Sequence, residues 1–164
     1  MGKFPVAIVS TSAETVLEDY HRVMRLSGAF QHIPKGEDIV LKLNLSWTLY
    51  YPASSSPPWQ VEGVIRAFLE EGYSAKKLLA VENRTVVTDV RKGAELNLWN
   101  GVFRRYGVRF LPLIEAEWVA YQPKAPLKVL PALFPKGIEI PSVLMGKWVV
   151  HLPTVKTHGH AITT

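Results

Sequence analysis

The chain has 164 residues, 19 Lys and Arg against 14 Asp and Glu, a formal charge of +5, and 48% hydrophobic residues. That length and composition fit one domain with its own core and exclude disorder of the whole chain. There is no cysteine, which excludes disulfides, thiolate metal sites, iron–sulfur ligation and cysteine nucleophiles within it.

No apolar run is long enough to cross a bilayer, so no membrane role is expected. The start, MGKFPVAIVSTSAE, has one lysine and only a short apolar run. It does not read as a signal peptide, and a cytoplasmic location is the default. The basic residues are scattered along the chain rather than gathered on one face. Nucleic acid is therefore not expected as a partner, and a small anionic ligand is.

The first element expected is a strand over Val6–Val9. Ser10, Thr11 and Ser12 then supply hydroxyl caps, Glu14 supplies a first-turn carboxylate, and apolar positions 16, 17, 20, 23, 24 and 26 keep helical spacing up to Gly28. Residues 38–43 read as a second strand, with a near-continuous apolar run suited to burial on both faces. A long loop, 44–58, contains Ser54, Ser55 and Ser56 followed by two prolines, and reads as irregular chain. A helix over 59–71, a strand over 77–81, a helix over 92–106 and a strand over 108–113 follow. The alternation predicts an α/β fold with a mostly parallel sheet and helices on its faces, starting βαβαβαβ. A proline-rich excursion comes next, then a final buried strand over 147–152 and a polar tail.

In open α/β sheets, ligands bind beyond the carboxyl ends of the strands. Three such ends are rich in chemistry: Lys42 and Asn44; Glu82, Asn83 and Arg84; and Lys156, Thr157, His158 and His160. Lys42, Asn44, Asn83, Arg84, Lys156 and Thr157 are the candidate ligand-binding residues. The two asparagines alternatively hold their own loops through side-chain to backbone bonds. Glu82 and His158 are the candidate catalytic groups, with Glu82 alternatively an ion-pair partner of Arg84 or a neighbouring lysine. His158 and His160 fall on one side of an extended segment and are candidate ligands of a divalent metal. The P-loop, the glycine-rich dinucleotide fingerprint and the nucleophile elbow are absent.

Lys42-Leu43-Asn44-Leu45 resembles the "KPN" segment of the family called domain of unknown function 362. Lys156-Thr157-His158 with Ile162-Thr163-Thr164 resembles its "lPKxKTH…vT" segment. Tyr51-Pro52, Pro58-Trp59-Gln60, Glu62-Gly63-Val64 and Val81 to Thr85 are similar in the same order. The resemblance implies a single α/β domain over 1–164 that is the amino-terminal part of a longer family domain. It departs from the family in stopping at Thr164 and in lacking the cysteine-rich module, so no redox role transfers. The expected function is an enzyme-type domain binding a small anion, either with or without a metal. The alternatives are a non-catalytic accessory or redox-partner module and an inactive truncated remnant. The latter would leave an exposed sheet edge open to self-association or to a partner.

Overall fold

The computed structural model describes residues 5–158 and 162–163. Helix α1 spans Val16–Leu26, with Glu18 and Asp19 in its first turn and Arg25 in its last, the charge order that suits the helix dipole. Gly28, at φ 76°, turns the chain into the short helix α2, Ala29–His32. Strand β1, Ile39–Lys42, is followed by the loop 43–57 and helix α3, Pro58–Glu70. Pro58 sits in the first turn, where its missing N–H costs nothing. Strand β2 is Leu78–Glu82. Helices α4, Val90–Leu96, and α5, Trp99–Tyr106, lead to β3, Arg109–Pro112. The excursion holds β4, Trp118–Tyr121, α6, Leu130–Leu133, and β5, Ile138–Pro141. Strand β6, Trp148–His151, precedes a hairpin of β7, Thr157–His158, and β8, Ile162–Thr163.

The main sheet is four-stranded and wholly parallel, in the order β3-β2-β1-β6. The chain steps outward from β1 to β2 and β3, then returns to pair β6 on the other side of β1. β4 and β5 pair antiparallel in a separate ribbon. The protein is thus α/β, with a parallel sheet flanked by helices.

Strand alternation splits the core in two. Ile39, Leu41, Leu78 and Ala80 pack with Met24 of α1, Val61, Ile65 and Phe68 of α3, and Trp99 and Phe103 of α5. Burying each such large side chain is worth about 1.5–3 kcal/mol. The opposite face, Val40, Val81 and partly buried Leu79 and Leu111, packs against Leu113, Val143 and Leu144 from the excursion. The helices therefore gather on one face, and irregular chain covers the other.

Three expectations need correction. Residues 6–9 form no strand, although Ala7 and Val9 are half-buried in alternation with exposed Val6 and Ile8. Both sides of β1 are already taken, by β2 and β6, so this segment has no central position to occupy. The helix expected over 92–106 is two helices. Asn97 turns its side-chain amide back onto the Gly93 carbonyl at 3.0 Å, and Leu98 takes a left-handed φ of 63°, which ends α4. The last strand is not buried on both faces. It is an outer strand, and Trp148 and Val149 are 41% and 38% exposed.

Helix α1 can lie close on α3 because Gly63 has no side chain. A Cβ there would stand 2.6–2.9 Å from the Tyr20 ring and its Cβ. Gly63→Ala is expected to destabilise the fold by about 1–3 kcal/mol, read as a lower urea midpoint with an unchanged m-value.

At the amino end of the sheet, Asp38 bridges Lys77, before β2, at 2.9 Å and Lys147, before β6. Hydrogen bonds from Lys147 and then Lys77 hold its carboxyl down from 3.8 to about 2. The folded value is depressed, so the contribution is present above the ordinary value and is lost as pH falls towards 2. The thermal midpoint of the wild type should therefore drop more steeply between pH 4 and 2 than that of Asp38→Asn, as followed by circular dichroism.

Candidate functional site

The strand order reverses between β1 and β6, and in such sheets the crevice at the reversal is the usual ligand site. At that reversal Lys42 and His151 are register partners at the ends of β1 and β6. The Leu152 N–H then donates to the Lys42 carbonyl at 2.8 Å.

Lys42 and Glu82 close the ends of β1 and β2. Lys42 Nζ donates to Glu82 Oε1 at 2.6 Å and to the Leu43 carbonyl at 2.7 Å. Glu82 Oε1 also accepts from Asn83 N at 2.7 Å, and Oε2 accepts from Leu45 N at 2.9 Å. Three donors thus engage both carboxylate oxygens, and the Glu82 side chain is only 7% exposed while that of Lys42 is 27%. A buried carboxylate needs this many partners to be tolerated. The ion-pair partner of Glu82 is therefore Lys42, and Arg84 stands exposed at the surface. One of the three N–H groups of Lys42 is unused by any described residue.

The loop after β1 is held from inside. Asn44 N donates to Ser56 Oγ at 2.9 Å, and Asn44 Nδ2 donates to the Ser54 carbonyl at 3.1 Å. Ser46 N donates to Ser55 Oγ at 3.2 Å. Asn83 receives the Arg84 N–H on its Oδ1 at 3.0 Å, a local turn bond. Leu45 lies over Gly93 of α4, where an added Cβ would meet its methyl groups at 2.6–2.8 Å.

Ser56, which sequence reading leaves as plain loop, is the residue that ties the site together. It is fully buried. Its hydroxyl donates to the Leu152 carbonyl at 2.6 Å while accepting from Asn44, and its carbonyl accepts from Trp99 Nε1 at 2.8 Å. The end of β1, the end of β6 and α5 therefore meet on one residue. The signal available in the sequence was the run of small hydroxyls in a long loop, since serine can bond buried backbone groups that water cannot reach.

The tail beyond β6 contributes less regular groups. Gln60 Nε2 donates to the Pro153 carbonyl at 3.4 Å. Gln60 Oε1 and Thr154 Oγ1 are buried with no partner among the described residues, an arrangement that costs about 1–3 kcal/mol per group. Lys156 is half-buried, and burial lowers its pKa from the ordinary 10.5. Thr157 and His158 are exposed on β7, opposite Thr163 and Ile162 of β8. His160 lies outside the described residues. Among the described residues no three His, Asp or Glu side chains gather as metal ligands would. Lys42, Asn44, Glu82 and Asn83 are thus brought together, while Thr157 and His158 sit on a separate ribbon.

No protein-family model, curated protein or solved structure matches the chain.

Ser56→Ala removes the donor to Leu152 and the acceptor for Asn44, leaving two backbone groups unpaired. A loss of about 2–3 kcal/mol is expected, measured by urea unfolding. Ser54→Ala, whose hydroxyl makes no such bond, serves as the near-neutral control.

Proposed function

We propose that the chain is a small-molecule domain that binds an anion, a carboxylate or a phosphate, in the crevice between the carboxyl ends of β1 and β6. The observation that carries this reading is the reversal of strand order at a lysine whose third N–H is unused by the described residues. Lys42 is fixed there by Glu82 and the Leu43 carbonyl, so little side-chain freedom remains to be lost when an anion binds. Lys156, half-buried and with no carboxylate partner among the described residues, adds a charge whose burial an anion would compensate. The likeness of the segments around Lys42 and Lys156 to domain of unknown function 362 agrees with this choice.

Glu82 serves this site by positioning Lys42, and Asn44 and Asn83 by holding the two loops. In an enzyme-type version, His158 would move the proton, with His160, two positions on in the sequence, as the second candidate metal ligand. A non-catalytic binding module is the second reading. It is favoured by the three donors on Glu82, two on Oε1 and one on Oε2, which hold the carboxylate as an anchor for Lys42 and two backbone N–H groups.

The test is titration with inorganic phosphate and with malonate, followed by amide chemical shifts. Shifts should centre on residues 42–44 and 152–156. Lys156→Ala should weaken binding at least about tenfold, with the unfolding midpoint preserved. The double variant Lys42→Met/Glu82→Gln removes both charges and should also abolish binding, at a cost of about 1–3 kcal/mol in stability because one of the Leu45 and Asn83 N–H groups loses its acceptor. Binding that both variants leave unchanged would overturn the site.

Burial also gives binding a pH dependence. An anion stabilises charged Lys156, so affinity should fall as pH rises through a value below 10.5. Lys156→Arg should flatten that fall in calorimetric titrations between pH 8 and 10.

A further inference from the structure

A second charged cavity lies at the opposite pole of the sheet, on the face away from helices α1, α3 and α5. Its volume is about 500 Å³, within the range of small-ligand sites. Val40 and Leu79 form part of its wall from the strands, and Val143 closes it from the excursion. Its rim carries Lys76, Lys77, Arg109 and Lys147 against the single carboxylate of Asp38.

The pairing within that rim is uneven. Asp38 holds Lys77 and Lys147. Each ammonium has three donors, so one carboxylate cannot saturate two of them. Lys76 and Arg109 are exposed, and neither makes an ion pair with any described residue. Four positive groups therefore converge on one cavity from three places in the chain: two from the turn before β2, one from the start of β3 and one from the approach to β6. A solvated basic surface does not need an apolar floor beneath it, and an apolar core face does not need a cationic rim. The two together match a ligand with an apolar body and an anionic head.

We propose that this groove is a second binding site, separate from the β1–β6 crevice, for a small amphiphilic anion such as an aryl or alkyl phosphate or carboxylate. The head would sit between Lys76 and Arg109, whose donors no described residue uses in an ion pair, and the body against the partly buried Leu79 and Val143. Lys77 and Lys147, already fixed by Asp38, would supply background charge.

The probe is phenyl phosphate, compared with inorganic phosphate, on the full chain. Phenyl phosphate should move the amide signals of residues 76–79, 107–109 and 143–147, and bind at least about tenfold more tightly there than inorganic phosphate. The double variant Lys76→Gln/Arg109→Gln should lose about tenfold or more in affinity at an unchanged thermal midpoint, because neither side chain has a partner to lose. Val143→Ala should weaken phenyl phosphate and leave inorganic phosphate unaffected. Lys156→Ala, which tests the other crevice, should leave these signals and affinities as they are, so the two sites can fail independently. Equal binding of the two phosphates, full affinity in the double variant, or shifts confined to residues 42–44 and 152–156 would each overturn the proposal.

Discussion

A parallel strand ends by pointing its chain away from its neighbour, so something other than ladder bonds must fix where that chain goes. Here one buried hydroxyl does so. Ser56 receives the N–H of Asn44 and gives its own hydrogen to the Leu152 carbonyl. The outgoing loop of β1 and the outgoing chain of β6 are thereby held at a set separation, while Trp99 fixes the serine's own carbonyl. The two outgoing chains part at a residue that cannot move without leaving backbone groups dry and unpaired. The Lys42–Glu82 pair does the same on the β2 side, through the N–H groups of Leu45 and Asn83.

The two poles of the sheet solve their electrostatics differently. At the carboxyl end the carboxylate is buried and takes three hydrogen bonds, one of them from a lysine. At the amino end Asp38 is half-exposed and shared by two lysines in a rim that stays positive. Coulombic attraction near a surface is screened by water and salt, so the Asp38 bridge aligns the strand starts without rigidly closing them. Glu82, out of solvent, has no such latitude.

The sequence makes the sheet legible because parallel strands buried on both faces are short apolar runs, as in Ile39-Val40-Leu41 and Leu78 to Val81, and the amphipathic helices between them keep strict spacing. Its limits are equally physical. Val6 to Val9 has strand composition, yet pairing depends on a free neighbour, and β6 occupies the place beside β1 from far along the chain. The break at Leu98 depends on a side-chain bond from Asn97 to its own helix, which periodicity does not register. That Lys42 and Glu82 close strands of one parallel sheet follows from the same apolar runs, since each stands at the carboxyl end of its run. That Glu82 faces Lys42 rather than Arg84, and that a serine in a proline-flanked loop links three elements, are tertiary facts carried by no local pattern.

Strand β6 has one more implication, in time rather than space. Asp38 and Lys147, which bracket the β1–β6 pairing, are 109 residues apart. During synthesis at about 5–20 residues per second, β1 waits on the order of ten seconds for its second neighbour. Over that interval β1, β2 and β3 can assemble with α3 to α5 on one face, while the far edge of β1 stays open. The central strand of the finished sheet is an edge strand for most of its synthesis, and such an edge is a place where a nascent chain can pair wrongly.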